Sequence, residues 1–90
     1  EPITMESLAQ GIGVPLRTIQ HAFQRSRGYT PREFLRRCRL ELARRRLRAA
    51  GEGDTVTRIA LECGFGHFGD FARDYKRRFG ESPSATLRRR

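Results

Sequence analysis

The stretch TMESLAQGIGVPLRTIQHAF (residues 4–23) and the stretch TVTRIALECGFGHFGDFARDY (residues 55–75) are two copies of one pattern. Thr4, Leu8, Ala9, Gly13 and Val14 recur 51 residues later as Thr55, Ile59, Ala60, Gly64 and Phe65. Ile19, Phe23, Gly28 and Pro31 recur 52 residues later as Phe71, Tyr75, Gly80 and Pro83. The offset grows by one, so the second copy carries one extra turn residue, around Gly66–Gly69. Self-similarity of this kind marks a duplicated supersecondary unit. No run of β-branched residues alternates with period two, so strands are not expected and the fold class is all-α.

Each copy reads as a helix-turn-helix. In the first, a short helix from Thr4 turns Leu8 and Ala9 inward, and the small alanine lets a second helix approach. Gly13 supplies the positive φ of a sharp turn, Val14 packs, and Pro15 starts the second helix. Leu16, Ile19, Ala22, Phe23 and Ser26 then form its inner face, while Arg17, Gln20, His21 and Gln24 fall together on the outer face. Arg can bridge guanine O6/N7 and Gln can bridge adenine N6/N7 in a major groove. Taken alone, such a face is usually just solvated; on the second helix of a helix-turn-helix in a chain of net charge +9, the balance moves to function. In the second copy, Ile59, Ala60, Cys63 and Phe65 make the first helix and turn. Phe68, Phe71, Ala72, Tyr75 and Phe79 make the inner face of the second helix, an aromatic stripe read as core. Gly69, Asp70, Arg73, Lys76 and Arg77 remain outside, with Arg73 suited to a base and Lys76 and Arg77 to phosphates.

One long helix separates the copies. Thr30, Pro31 and Glu33 form a capping box with proline at the first helical position, and Gly51 reads as the stop. Leu35, Leu42, Ala43, Leu47 and Ala50 recur at helical spacing. Arg32, Arg36, Arg37, Arg39, Arg44, Arg45, Arg46 and Arg48, set against Glu33 and Glu41, place six of the nine net charges on residues 32–48. A helix from Pro31 to Ala50 would be about 30 Å long, close to the ~34 Å of one DNA turn. That length suits two reading helices in successive major grooves. The expected organisation is residues 1–30 as a first helix-turn-helix subdomain, 31–50 as a linker helix, and 51–90 as a second subdomain.

Composition narrows the function classes. The chain has 90 residues, a net charge of +9 and a pI near 11.3. A chain this short leaves little room for a deep cleft between lobes. No Ser-His-Asp, Cys-His or carboxylate pair stands at an informative spacing, so no enzyme is expected. The charge favours an anionic partner, with double-stranded DNA the first candidate. The basic residues are 18 Arg and one Lys, and there is no Asn. Arginine suits bidentate contacts, but GC-rich codon usage explains the same bias. Cys38 and Cys63 form no CxxC pair, and His21 and His67 keep no ligand spacing with them, so neither metal nor cofactor is expected. Two reduced thiols fit a cytoplasmic protein. Neither a membrane span nor a signal peptide is legible. The opening Glu1-Pro2, with the single Met at position 5, reads as an internal segment of a longer protein.

The residues IALECGFGHFGDFARDYKRRFGESPSATLR (59–88) resemble the signature region of AraC/XylS-type transcriptional regulators. The elements that carry the resemblance are Ile59-Ala60, Gly64-Phe65, Phe71, Arg73, Lys76, Phe79-Gly80 and Ser82-Pro83. The stretch from Leu8 to Leu47 is similar to the upstream half of the same domain. The resemblance implies two helix-turn-helix units on a long central helix, usually behind an effector-binding or dimerisation domain. It puts base contacts on Arg17, Gln20 and His21 in the first unit and on Gly69, Asp70 and Arg73 in the second. Thr18, Gln24, Lys76 and Arg77 are the expected phosphate contacts.

Three features depart from that pattern. Gly69 has no side chain to read a base, although its backbone can approach phosphate. Asp70 is acidic where phosphates are expected; it can accept from cytosine N4, or orient Arg73 or Arg77, the reading preferred here. The helix that usually precedes is absent, so Ile3, Leu8 and Ile12 are expected to be poorly covered. The expected function is a sequence-specific bacterial regulator, more often an activator in this family. A rival reading is a basic interaction module whose arginine-rich helix meets an acidic partner such as RNA polymerase. A second rival is a charge-driven binder of nucleic acid or membrane surfaces without sequence preference.

Overall fold

The computed structural model describes residues 4–25 and 28–89, and among these there are helices and turns but no strand. The helices are α1 (Met5–Ile12), α2 (Leu16–Arg25), α3 (Pro31–Arg48), α4 (Val56–Glu62), α5 (Phe68–Phe79) and α6 (Pro83–Arg88). They gather into two compact units, Glu1–Leu42 and Ala43–Arg90. Helix α3 runs through the division, so each unit owns part of the segment that the sequence reading sets apart as residues 31–50.

Helix starts obey the repeat. Thr4 accepts from the Ser7 amide at 3.1 Å while Ser7 Oγ accepts from the Thr4 amide at 3.0 Å. Its repeat mate Thr55 accepts from the Arg58 amide at 3.1 Å. Thr30 and Glu33 close the expected capping box at 3.1 and 2.9 Å, and the corresponding Ser82 caps α6 through the Ala85 amide at 3.1 Å. Such caps satisfy amides that the helix itself leaves without partners. The turns match as well. Gly13 and Gly64 have φ of +87° and +93°, a region that side chains with a Cβ rarely enter. Beyond them, the Val14 amide donates to Ala9 O and the Phe65 amide to Ala60 O, each at 3.0 Å. The extra residue of the second copy falls between Gly64 and Phe68, where Phe65, Gly66 and His67 replace the pair Val14–Pro15.

The first unit closes on Ala9, Ile19 and Phe34, with Met5, Val14, Leu16, Ala22, Phe23 and Cys38 packed around them. The Phe23 and Phe34 rings meet at 5.2 Å. Leu8, expected to be poorly covered, is fully buried. Ser26, Ile3 and the side chain of Ile12 lie outside the described residues. In the second unit Ile59, Ala60, Cys63, Phe65, Phe71 and Tyr75 are buried, as are Ala43 and Leu47 of α3. Ring contacts run from Phe65 to Phe71 (4.7 Å), on to Tyr75 (5.6 Å) and then to Phe79 (4.6 Å). Burial pushes the Cys63 thiol up to about 11, which makes it a small apolar side chain rather than a nucleophile.

Two expectations need correction. Phe68 does not join the inner face; it is 48% exposed. As the first residue of α5 it projects over the preceding turn, where the exposed Gly66 and His67 give it no apolar cover. Helix α3 ends at Arg48, not at Ala50 before a glycine stop. Its final bond, from the Ala50 amide to Leu47 O, tightens to an i→i−3 pattern, and the Gly51 amide is taken by Asp54 Oδ2 at 2.8 Å.

Helix α6 is tied to α5 by a buried bond in which Tyr75 OH donates to Thr86 Oγ1 at 2.8 Å. Thr86 Oγ1 in turn donates to Glu81, whose other oxygen meets Arg89 at 2.8 Å. The Thr86 hydroxyl, reinforced by Arg89, holds the Glu81 carboxyl below its usual range. Thr86→Val leaves the Tyr75 hydroxyl buried without its acceptor and should destabilise the chain by about 1–3 kcal/mol in urea unfolding. Adding Tyr75→Phe should recover part of that loss. Strictly additive costs in the double-mutant cycle would show that the two hydroxyls do not act as a pair.

Candidate nucleic-acid interface

Burying Ile19 against Ala9 and Phe34 turns the opposite side of α2 outward. Arg17, Thr18, Gln20, His21 and Gln24 are all exposed. Arg17, Gln20, His21 and Gln24 line one shallow depression, joined by Met5 and Phe23 at its margin. The structure therefore brings together the three expected base readers of the first unit and one of its two expected phosphate contacts. Two amide side chains, a guanidinium and an imidazole supply donors and acceptors at a spacing of one to two helical turns.

On α5 the buried Phe71 and Tyr75 leave Gly69, Asp70, Arg73, Lys76 and Arg77 exposed. Arg73 is held from two sides: Nη2 lies 3.2 Å from Asp70 Oδ1, and Nε lies 3.5 Å from Asp74 Oδ1. Both Arg73 and Asp70 are more than half exposed, so the pair orients the guanidinium more than it stabilises the fold. Gly69 has no steric reason to be glycine, because a Cβ there would meet nothing within 4 Å. Glycine in a helix nonetheless costs about 1 kcal/mol relative to alanine, and what it leaves at this place is a bare stretch of the outer face of α5.

The helix starts differ in a way that follows the proposed roles. Among the described residues, Thr4, Thr30, Thr55 and Ser82 cap α1, α3, α4 and α6 through their hydroxyls. Helix α2 follows Pro15, whose ring offers no acceptor, and α5 follows His67, which makes no side-chain cap bond. The first turns of the two outward-facing helices thus lack a side-chain acceptor from their own N-cap residue. Helix N-terminal amides of this kind bind phosphate oxygens.

The arginines of α3 divide by role. Arg37 stacks on Tyr29 at 4.3 Å and Arg44 on Phe79 at 4.7 Å. Arg46 pairs with Glu62 at 3.4 Å. These contacts serve packing within a unit, and sequence spacing carried no sign of them. Arg32, Arg36 and Arg39, with Leu35 between them, surround a second shallow depression on the first unit. Among the described residues no group of three His, Cys, Asp or Glu side chains could hold a metal, and no helix is long and apolar enough to cross a membrane.

Known proteins share this architecture. A helix-turn-helix domain family matches residues 8–89. The "probable thc operon regulatory protein" of Rhodococcus erythropolis is 44% identical over 89 residues, covering 98% of this chain and 27% of that protein. An operon activator of Pseudomonas putida, "XylDLEGF operon transcriptional activator 3", is 40% identical over 91 residues, covering all of this chain and 28% of its own length. The chain spans less than a third of the length of these relatives. A crystal structure of a "probable AraC family transcriptional regulator" from Rhodopseudomonas palustris matches with a TM-score of 0.69 at 50% identity, over 99% of this chain and 82% of that one. With its paired helix-turn-helix repeats and these relatives, the chain belongs to the AraC family of transcriptional regulators, of which it is a DNA-binding helix-turn-helix domain.

Proposed function

We propose that this domain recognises a specific operator through two helices of unequal chemistry, and that the exposed set Arg17, Gln20 and His21 around one depression on α2 carries most of the sequence readout. Thr18 and Gln24 flank that set and serve as phosphate contacts. On α5, Arg73 is the base reader, steadied by Asp70 rather than opposed by it. Gly69 allows close approach, and Lys76 and Arg77 hold phosphates. The two helices read successive major grooves. Helix α3, with 18 residues, is about 27 Å long at 1.5 Å per residue.

The relatives named as activators favour the same role here. Their greater length favours a further effector-binding or dimerisation domain ahead of this one, in a protein that works on DNA in the bacterial cytoplasm. The observation behind a second activity is the depression edged by Arg32, Arg36 and Arg39. A basic face with a leucine at its centre suits an acidic protein partner, with RNA polymerase the natural one for an activator. Converting Arg32 and Arg36 to glutamate should lower activated transcription several-fold while leaving operator affinity within twofold; equal losses in both would assign this face to DNA.

Selection of bound duplexes from random sequence, followed by footprinting, tests the reading directly. Two short protected blocks about one helical turn apart are expected, whereas a single block would mean that one unit docks alone. Gln20→Ala and His21→Ala should each cost ~1–3 kcal/mol on the selected site and little on random DNA. Equal weakening on both would remove α2 from base reading. Lys76→Ala should instead weaken both DNAs alike and flatten the salt dependence by about one unit of slope. A loss confined to the selected site would contradict its phosphate role.

A further inference from the structure

Phe68 is the aromatic side chain that the second unit leaves outside, with 48% of its surface exposed. Its repeat mate is Leu16, which packs against the core of the first unit. The one-residue insertion between Gly64 and Phe68 accompanies this difference: the same position is inward in one copy and outward in the other. Phe68 is nonetheless not loose. Its ring rests against the buried Phe71 at 6.2 Å between centroids, tilted by 51°. The residue that follows it, Gly69, contributes no side chain to screen it. The outcome is an apolar ring held by the core and presented at the first position of α5.

That position carries chemical meaning in a helix-turn-helix. The N-terminal residues of the second helix are the ones brought to base edges. The apolar feature a major groove offers is the C5-methyl group of thymine, and phenylalanine is among the side chains that contact it. Its neighbours on the outer face of this helix offer no apolar group for a methyl contact: Gly69 has no side chain, Asp70 is a carboxylate, and Arg73 presents a guanidinium suited to hydrogen bonding. We infer that Phe68 is a specificity-determining residue that reads a thymine methyl group in the groove occupied by the second unit. The inference rests on the reading above, in which α5 docks in a major groove. Leu61, 62% exposed on α4, is the other large apolar side chain exposed among the described residues, and it provides the control.

The test uses duplexes selected by the chain from random sequence, in which each thymine of the second protected block is replaced singly by deoxyuridine. That change removes the methyl group and keeps the base pair. At one or two positions the unaltered chain should lose about 3- to 5-fold in affinity, the weight of one buried methyl group. Phe68→Ala should bind the thymine and uracil duplexes equally, and Leu61→Ala should keep the full difference. Because the first comparison uses the unaltered chain, it stands even if a variant folds poorly. Two protected blocks with no thymine sensitive to the exchange would overturn the inference while leaving the docking of α5 intact. So would a Phe68→Ala chain that still discriminates uracil, which would assign the methyl contact elsewhere. Unchanged binding of every duplex by Phe68→Ala would assign the exposed ring to a partner other than DNA. Loss of the second block altogether, with Lys76→Ala silent, would refute the docking reading and this inference with it.

Discussion

One backbone hydrogen bond, made once in each repeat, governs where the second helix of each pair points. Beyond a glycine at positive φ, the Val14 amide reaches Ala9 O and the Phe65 amide reaches Ala60 O, both at 3.0 Å. The bond closes the first helix of each pair and reverses the chain within a few residues. It also drives the next side chain, Val14 or Phe65, toward the core. With that corner set, burial of Ile19 or Phe71 fixes the rotation of the following helix about its own axis. The face left over is the exposed one, the face proposed to meet DNA. Recognition chemistry is thereby decided by where the apolar residues are spent, since polar side chains on α2 and α5 occupy the directions the core does not claim.

The same corner supports two different kinds of surface. On α2 it presents neutral and cationic hydrogen-bonding groups that differ in donor and acceptor pattern. On α5 it presents a guanidinium braced by carboxylates, a bare glycine, two further cations and an exposed ring. The two copies share the scaffold while their outer faces differ, and a single extra residue in the second turn accompanies a change in which side chain the core accepts. The net charge is likewise less uniform than the composition suggests. Of the α3 arginines, Arg37, Arg44 and Arg46 spend their guanidinium groups on rings and a carboxylate of their own unit.

Much of this was legible in the chain because the relevant physics is local or periodic. Thr30, Pro31 and Glu33 announce a helix start through spacing alone, and Gly13 and Gly64 announce turns through their position in the repeat. The outer faces of α2 and α5 follow from helical periodicity. What escaped was set by ends and by tertiary contact. Periodicity places Phe68 on the apolar stripe, where its repeat mate Leu16 does pack, but the longer turn ahead of α5 places the exposed Gly66 and His67 before it and its ring stays 48% exposed. Gly51 looked like a helix stop, whereas the chain had already tightened at Ala50 and the glycine amide belonged to Asp54. Leu8 looked uncovered because its neighbours in space are distant in sequence. The stacking of Arg44 on Phe79 spans 35 positions, and no local pattern encodes such a pair.

Among the described residues, four helices begin at a hydroxyl that accepts from their first turn, whereas α2 and α5 follow Pro15 and His67, which make no side-chain cap. A helix without its cap forgoes ~1 kcal/mol and frays from that end. Phosphate oxygens can take the place of the missing acceptor, so part of the secondary structure would be finished by the ligand. If the proposed docking holds, binding and local folding share a free energy at these two helix starts. On that proposal, DNA that meets both helix starts would complete two first turns. DNA that misses either would leave that turn without its acceptor, so fit to the backbone would register as order in the protein.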